Sequence, residues 1–205
     1  MIDLLTRADE REAVATLAAA FASYKLLEAL CPNAKHRPRV TEAFSRFLFR
    51  SAVRSGGAYG TPDRGAVVCA WPAGREWPSR WDAFRAGGLA FMWRMGWRAS
   101  RLMTRLEGEF DAARASHVPG PHCYVPLLGV RPELQGKGLS REVLRPVFDR
   151  ADRDRVPVYL ETMSEPNVAI YKRLGFALVG YRELTGGLPN WEFVRQPQPR
   201  QAQVS

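Results

Sequence analysis

The stretch "LLGVRPELQGKGLSREVL", residues 127–144, joins an apolar run to a helical pattern through a loop that contains Gly136 and Gly138. The first turn of a helix leaves about four backbone N–H groups unpaired, and these groups lie at the positive end of the helix dipole. Two glycines let the main chain curl closely around an anion at that end. The segment therefore predicts a strand, an anion-binding loop and a helix. The side chains that could add donors to this loop are Gln135, Lys137 and Ser140.

Spacing excludes two familiar phosphate loops. A Walker A loop needs a glycine at the position of Arg131 and a Ser or Thr at the position of Gly138. A Rossmann fingerprint needs Gly or Ala at the position of Arg141. The chain meets neither requirement, so the loop is an anion site of another kind.

The rest of the chain predicts strands alternating with helices, which is typical of a mixed α/β domain. Pro146 should kink or shorten its helix, because its ring removes one backbone hydrogen bond at a cost of about 3 kcal/mol. Residues 196–205 have little to bury and are predicted to be disordered, which leaves a single domain over 1–195. The predicted strands are 2–5, a pair around a turn at 61–65, 122–130, 156–163, 176–184 and 190–195. The predicted helices are about 9–30, 39–55, 88–115, 139–153 and 166–174, the last closed by Gly175.

The net charge of +9 suggests binding to nucleic acid or to an anionic surface. Between 81 and 115, however, an apolar series recurs at helical spacing while four arginines occupy another face. We interpret the arginines as the solvated face of an amphipathic helix, with an anionic ligand or surface as the alternative. The apolar series is Phe84, Met92, Met95, Leu102, Leu106 and Phe110, and the arginines are Arg94, Arg98, Arg101 and Arg105.

Composition argues against several other classes of protein. Cys31, Cys69 and Cys123 are an odd number at wide spacing with only three histidines, so neither a disulfide framework nor a zinc site is indicated. The chain has no run of about 18 uncharged apolar residues and no signal-peptide pattern. We therefore expect a cytoplasmic protein without a membrane partner.

Two segments resemble the GNAT superfamily of N-acetyltransferases. "QGKGLS", residues 135–140, resembles the family signature Gln/Arg-x-x-Gly-x-Gly/Ala, although Ser140 replaces the usual last Gly or Ala. "NVAIYKRLGF", residues 167–176, resembles the segment Asn-x-x-x-Tyr-x-x-x-Gly-Phe. Two motifs in this order, with a strand between them, are more specific than a lone Gly-rich loop. "HCYVPLLGV" and the final "LTGGLPNWEFVR" further resemble a bacterial subgroup that includes puromycin-type antibiotic acetyltransferases.

The resemblance implies a GNAT fold, in which helices flank a mostly antiparallel twisted sheet with a V-shaped opening between two parallel strands. Acetyl-CoA would be the co-substrate, without a metal, and would lie in the V between strands 123–130 and 156–163. Its pyrophosphate would bind the loop, its pantetheine arm would pair with the first strand, and Val130 N–H would polarise the thioester carbonyl. The implied cofactor-binding residues are Leu128, Gly129, Val130, Gln135, Gly136, Lys137, Gly138, Leu139, Ser140, Asn167 and Tyr171.

Acetyl transfer to an amine needs a general acid and a general base. Asn167 and Tyr171 are four residues apart and share a helix face, where Asn167 would bond the pantetheine arm and Tyr171 would protonate the departing thiolate. An alkylamine with a pKa near 10 must lose a proton before it attacks. Glu161 is the leading candidate for the base, with His122 and His117 behind it.

Each assignment has a purely structural alternative. Tyr171 could be a half-buried helix residue, Asn167 a helix cap, and Glu161 the ion-pair partner of an arginine. His122 could be a strand residue with a satisfied ring. The tryptophans could pack in the core or line an acceptor pocket; they are Trp71, Trp77, Trp81, Trp93 and Trp97.

The sequence thus predicts an enzyme that transfers acetyl from acetyl-CoA to the amine of a small molecule, as a monomer or homodimer. Direct attack in a ternary complex is favoured because no cysteine follows a nucleophile pattern, although Cys123 lies close to the V. Two alternatives stay open. One is a CoA-binding sensor without turnover, and the other is a basic nucleic-acid-binding protein, whose affinity would fall steeply with salt.

Overall fold

A computed structural model describes residues 1–74 and 88–199, except for the side chains of Leu89, Ala90 and Arg94. Its strands are β1 (Asp3–Leu4), β2 (Ala58–Gly60), β3 (Ala66–Trp71), β4 (Cys123–Val130), β5 (Val158–Thr162), β6 (Ala177–Leu184) and β7 (Leu188–Arg195). Its helices are α1 (Glu10–Ala20), α2 (Lys25–Leu30), α3 (Arg37–Ser55), α4 (Gly88–His117), α5 (Leu139–Asp154) and α6 (Glu165–Arg173).

The strands of the described residues form one mixed sheet in the order β1-β2-β3-β4-β5-β7-β6. Neighbouring strands are antiparallel except β4 and β5, which run parallel. Within the described residues, β4 and β5 pair only through Cys123 with Val158 and Tyr124 with Tyr159. Beyond Tyr124 the two strands separate into a V. The predicted mixed α/β fold, with a mostly antiparallel sheet opened between two parallel strands, is confirmed.

Helices cover both faces of the sheet. All six residues of β3 are buried, and they alternate between two hydrophobic cores because successive strand residues point to opposite faces. Val67 and Cys69 face the core formed with α1 to α4. Val68 and Ala70 face the core formed with α5 and α6. The sheet is therefore a middle layer, and its split opens toward both helical layers.

The prediction of one continuous helix over 9–30 is wrong, because a turn interrupts the helix in the middle of this range. The chain leaves α1 at Phe21, and Tyr24 takes extended angles (φ −79°, ψ 130°) before α2 begins. The Tyr24 hydroxyl accepts a hydrogen bond of 2.9 Å from the backbone N–H of Met163, just beyond β5. This tertiary contact holds a turn in a segment whose alanine-rich composition favours an unbroken helix.

Pro146 does not end α5, which continues from Leu139 to Asp154. The missing backbone hydrogen bond costs about 3 kcal/mol, whereas full burial of one Val or Leu side chain contributes about 1.5–3 kcal/mol. Burial along α5 therefore outweighs the lost bond. The residues that α5 buries against the sheet are Val143, Leu144, Val147 and Ala151.

Helix α4 carries the predicted arginine face but is interrupted by Gly96, whose angles (φ 76°, ψ 165°) are not helical. The interruption shifts the helical phase, so Met92 is 49% exposed instead of joining the predicted apolar face. Leu106 is buried as expected. The side chains of Arg98, Arg101 and Arg105 are exposed. Phe84 lies outside the described residues, as does the side chain of Arg94.

The C-terminal segment follows the body of the protein as far as it is described. Residues 196–199 form no helix or strand, but the Gln198 backbone N–H donates to Asp152 Oδ1 at 2.8 Å. The rest of the tail predicted to be disordered, 200–205, lies outside the described residues. Among the helices of residues 1–74 and 88–199, none combines the length and apolar character needed to span a bilayer. The same ranges hold no group of three or more His, Cys, Asp or Glu side chains arranged for a metal ion.

The crowding around Gly180 gives a test of the fold. A Cβ on Gly180 would lie 2.4 Å from Glu192 Oε2 and 2.8 Å from His117 Nε2. We expect Gly180→Ala to lower the free energy of unfolding by about 1–3 kcal/mol, because those side chains must move out of their hydrogen bond. Gly108→Ala is the matched control, since that helical glycine has no atom within 4 Å of its Cβ position. It should stabilise α4 by about 0.5–1 kcal/mol. Urea denaturation measures both, and equal effects would contradict the packing described.

Candidate active site

The V between β4 and β5 exposes backbone groups of β4. The Arg131 N–H donates to Gly65 O at 2.9 Å, on the side of β3. Backbone groups of successive residues in a strand point to alternate sides, so those of Leu128 and Val130 point away from β3 and into the V. Both residues line a cleft of about 680 Å³ that runs from the V to the glycine loop. We call it the glycine-loop cleft.

The glycine loop presents an anion cradle to this cleft. Gly136 and Gly138 have φ of 78° and 80°, in the region that favours glycine. A Cβ at either position would meet nothing within 4 Å, so the loop backbone borders open space. Gly138 is the N-cap of α5, whose unpaired amides start beside the cleft. A pyrophosphate fits a cradle of this kind.

Of the other predicted loop and strand residues, some line the cleft and some do not. Gln135, Leu139 and Ser140 line the cleft, and Gln135 Nε2 also donates to Val130 O at 3.2 Å. Lys137 is exposed and is not part of the lining. Gly129 is not part of it either, because this residue faces α1, where an added Cβ would lie 3.0 Å from the Cβ of Ala20.

Helix α6 brings Asn167 and Tyr171 to the cleft on one face, as predicted. Asn167 Nδ2 donates to Thr162 Oγ1 at 3.3 Å, while the N-cap of the helix is Ser164. The cap alternative for Asn167 is therefore wrong. Tyr171 is 8% exposed, and burial raises the pKa of its hydroxyl further above the ordinary value, with the charges of Tyr24 and Glu161 adding to the rise. Tyr171 thus keeps its proton at neutral pH.

A second cavity, of about 250 Å³, lies between the sheet, the turn that follows α1, and helices α2 to α4. Phe21, Tyr24 and Met163 line both this cavity and the glycine-loop cleft, so the two spaces meet at the V. Most of its lining is apolar, and we call it the aromatic cavity. Its apolar lining residues are Phe21, Tyr24, Leu26, Phe44, Phe47, Leu48, Phe91, Met103, Phe110, Tyr124, Pro126, Leu127 and Met163.

Glu161 lies on β5 at the floor of the aromatic cavity. Its carboxylate accepts a hydrogen bond from the Tyr124 hydroxyl across the V, and the Tyr159 hydroxyl, two residues earlier on the same strand, interacts with it as well. Burial raises the pKa of Glu161 to about 7, and the hydrogen bonds of the Tyr124 and Tyr159 hydroxyls and the charge of Arg114 limit the rise. The Arg114 guanidinium lies 4.4 Å from the centre of the Tyr124 ring. Glu161 can therefore both take and release a proton near neutral pH.

Neither histidine candidate lines either cavity. His117 Nε2 is 2.7 Å from Glu192 Oε2, in a buried cluster that also contains Arg182. His122 Nδ1 is 2.8 Å from Gly120 O, and burial lowers the pKa of the ring. His122 therefore has an engaged ring, as the structural alternative expected, but it lies just before β4 and not in the strand.

Cys123 and the tryptophans also lie away from both cavities where they are described. Cys123 is buried, and burial raises the pKa of its thiol to about 12. Trp71 is buried and donates its indole N–H to Ser51 Oγ at 3.0 Å, as a packing residue does. Trp93 and Trp97 are exposed. Trp77 and Trp81 lie outside the described residues.

Comparison with known families decides what kind of protein carries these cavities. Residues 71–176 match the family described as Acetyltransferase (GNAT) family, which is just over half of the 205 residues. The chain belongs to the GNAT acetyltransferase family. Acetyl-CoA is the co-substrate of that family, and the anion cradle at the glycine loop fits its pyrophosphate.

Individual relatives of this GNAT protein match only parts of it. An uncharacterized N-acetyltransferase of Schizosaccharomyces pombe is 38% identical over 53 residues, which are 26% of this chain and 22% of that protein. The N-alpha-acetyltransferase RimI of Mycobacterium tuberculosis is 32% identical over 77 residues, which are 38% of this chain and 49% of that protein. The chain thus spans less than half the length of these relatives.

The fold of this GNAT protein is shared over its whole length with solved structures. The structure described as histone acetyltransferase HPA2 and related acetyltransferase, from Corynebacterium glutamicum, has a TM-score of 0.69. The two chains are 17% identical, and 98% of each is covered. Identity this low supports the shared fold and no finer likeness.

Several site residues escaped the sequence analysis. Ser23 and Tyr24 line the glycine-loop cleft from the turn between α1 and α2, and Lys25 lines it from the first position of α2. Lys25 adds a positive charge to a cleft that suits an anion. The segment "FASYKLL" contains neither Gly nor Pro, so it carries no local signal for the turn that brings these residues to the cleft.

The raised pKa of Glu161 predicts a pH-dependent stability difference. In the unfolded chain the carboxyl has its ordinary pKa of 4.5, whereas in the folded protein it is about 7. Between these values the folded state binds the proton more tightly, so this group lowers the free energy of unfolding as pH rises. We expect Glu161→Gln to gain on the order of 1–3 kcal/mol relative to the native protein between about pH 5 and about pH 8.

Urea denaturation at several pH values measures this difference, with Glu142→Gln on the exposed face of α5 as the control. A difference between Glu161→Gln and the native protein that stays constant with pH would contradict the protonated, buried state of Glu161.

Proposed function

We propose that this GNAT protein transfers an acetyl group from acetyl-CoA to the amine of a small molecule, by direct attack in a ternary complex. One observation carries the proposal. The glycine-loop cleft, with its anion cradle, and the aromatic cavity, with its buried carboxylate, meet at the V around Phe21, Tyr24 and Met163. Two substrates held in these spaces would meet where Glu161 and Tyr171 lie.

The glycine-loop cleft would hold acetyl-CoA. The amides from Gln135 to Ser140 would bind its pyrophosphate, with Lys25 as an added positive charge. The backbone groups of Leu128 and Val130 would pair with the pantetheine arm, and Asn167 would bond it. The reactive thioester would be supplied by acetyl-CoA, and the protein would supply position and proton transfer.

Glu161 would act as the general base. An alkylammonium with a pKa near 10 holds its proton at neutral pH, and the buried carboxylate would take that proton at the floor of the aromatic cavity. The amine nitrogen then forms the C–N bond to the acetyl carbon while the C–S bond breaks. Val130 N–H would stabilise the negative charge that develops on the carbonyl oxygen.

Tyr171 would act as the general acid. Its raised pKa keeps the hydroxyl protonated, so it can give its proton to the sulfur that leaves. After the attack the acylated nitrogen still carries one proton more than the neutral amide. This proton passes to the Tyr171 oxygen and restores its hydroxyl. The reaction therefore releases one net proton, which is the proton that Glu161 removed from the ammonium.

Direct attack is favoured over an acyl-cysteine intermediate. Cys69 and Cys123 are buried, and burial raises the pKa of both thiols, which opposes formation of a nucleophilic thiolate. The described lining residues of the two cavities include no cysteine. A small-molecule acceptor also agrees with the resemblance to the puromycin-type subgroup, and a cytoplasmic location is part of the proposal.

Binding of acetyl-CoA tests the cleft directly. We expect calorimetry to give one site per chain at moderate salt, and Gly138→Trp to abolish binding by filling the cradle. Gly74→Trp is the matched control, because Gly74 also has a positive φ of 76° and no atom of a described residue within 4 Å of its Cβ position, but lines neither cavity. Binding that disappears steeply with salt in the native protein, or survives in folded Gly138→Trp, would contradict the proposed cleft.

Turnover tests the acid. We expect Tyr171→Phe to lower kcat for an amine that the native protein acetylates by about 100-fold or more, with acetyl-CoA affinity unchanged. Release of the CoA thiol measures the rate. Tyr181→Phe, at an exposed tyrosine on β6, is the control and should keep the native rate. An unchanged kcat in Tyr171→Phe would remove this residue from the chemistry.

A further inference from the structure

The walls of the aromatic cavity are built from flat side chains. Phe47 and Phe91 are stacked at 5.8 Å with an angle of 9° between their planes. Phe44 lies 5.8 Å from Phe91 at 49°. Offset or tilted contacts of this kind also favour a third, added ring. The α1–α2 turn supplies a further aromatic pair, Phe21 and Tyr24, whose ring centres are 5.0 Å apart.

The charge in this cavity has the opposite sign to that of the chain. Its described lining includes the carboxylates of Glu107, Asp111 and Glu161 and the guanidinium of Arg114. Asp111 is paired with Arg114, whereas Glu107 makes no salt bridge within the described residues. Burial and the neighbouring Asp111 raise the pKa of Glu107, as expected for a carboxylate without a cation. The cavity is therefore suited to a cation although the chain carries +9.

The volume of the cavity limits the size of the molecule that can bind in it. A cavity of about 150 Å³ with apolar walls holds a benzene molecule. The aromatic cavity, at about 250 Å³, has room for such a ring and a short chain. One end of that chain would reach the carboxylate of Glu161, which lines the same cavity.

We propose that the acceptor is a primary amine joined by a short chain to an aromatic ring, with its ammonium at Glu161 and its ring against Phe44, Phe47 and Phe91. This inference rests on the proposed function and names the substrate class of the same site. The acetyl group replaces one hydrogen on the nitrogen, and the products are the N-acetyl amide and CoA with a free thiol.

The same contacts disfavour two other classes of amine. An aromatic amino acid would bring a carboxylate close to Glu161, where like charges repel. An aliphatic diamine would move a second ammonium from water into a mostly apolar space, where Glu107 is the one carboxylate besides Glu161 without an ion pair among the described lining residues. Selectivity would therefore come from the apolar walls and from the sign of the charge.

The first experiment compares three acceptors at saturating acetyl-CoA. They are 2-phenylethylamine, phenylalanine, which adds a carboxylate, and butane-1,4-diamine, which replaces the ring by a second amine. We expect kcat/KM for 2-phenylethylamine to exceed the other two by about 100-fold. A preference for the diamine or the amino acid overturns the inference.

Variants locate the ring. We expect Phe47→Ala to raise KM for 2-phenylethylamine about 10-fold and to leave KM for propylamine, which has no ring, within about twofold. Phe148→Ala is the control, because that half-buried phenylalanine packs on the opposite face of the sheet. Glu107→Gln should raise KM for 2-phenylethylamine a few-fold, whereas Glu142→Gln, the same charge change on α5, should leave it unchanged. Equal effects of Phe47→Ala on both amines overturn the proposed ring position.

Binding measurements separate this inference from the proposed function. Calorimetry with 2-phenylethylamine in the presence of CoA should give one site, weakened by Phe47→Ala. If acetyl-CoA binds at the glycine loop but 2-phenylethylamine neither binds nor is acetylated, the acceptor class is wrong and the cofactor assignment stands. If acetyl-CoA does not bind to the folded native protein, the proposed function fails and this inference fails with it.

Discussion

The limited pairing of β4 with β5 is the constraint on which the rest of the site depends. After Tyr124 pairs with Tyr159, the strands diverge, and the backbone of β4 turns its free side to open space. Pro126 lies in the same part of β4, where the register with β3 also shifts, and its ring lacks the N–H that a regular ladder would use. The hydrogen bond from Tyr124 to Glu161 spans the gap just above the last pair. Both cavities exist because the sheet opens at this point.

Two neighbouring glutamates have pKa values shifted in opposite directions because their surroundings differ. Glu161 and Glu192 are opposite each other on β5 and β7. Burial alone would raise the pKa of Glu192, but hydrogen bonds from Arg182 and His117 overcome this effect and lower it. Glu161 lies near Arg114 but is hydrogen-bonded to the neutral hydroxyls of Tyr124 and Tyr159, and burial raises its pKa. One carboxylate is thus held charged as a structural anchor, while the other stays able to exchange a proton.

The sequence was most informative where function is encoded in consecutive residues. The strand, glycine loop and helix around 127–144 and the face shared by Asn167 and Tyr171 follow from local rules, and the structure has them as predicted. Glu161 could be proposed because its strand had already been identified. Its raised pKa, however, depends on burial among residues from distant segments.

The sequence was least informative where distant segments meet. Tyr24 lies in the turn between α1 and α2, which its contact with Met163 holds, and no residue near Tyr24 signals this turn. Phe47 and Phe91 form one wall although they belong to different helices. His117 has the right chemistry for a base, but its ring nitrogen is already engaged by Glu192. Helical periodicity identified the apolar face of α4 and could not anticipate the loss of phase at Gly96.

The two cavities have few walls in common, and this has an evolutionary consequence. Among the described residues only Phe21, Tyr24 and Met163 line both. Under the proposed function, substitutions elsewhere in the aromatic cavity would change which amine is acetylated without disturbing the cradle proposed for acetyl-CoA. During divergence from a common ancestor, the residues of the glycine-loop cleft can therefore stay the same while those of the aromatic cavity change. Family membership accordingly informs about the donor, and under the proposed function the side chains of α2 to α4 that line the aromatic cavity determine the acceptor.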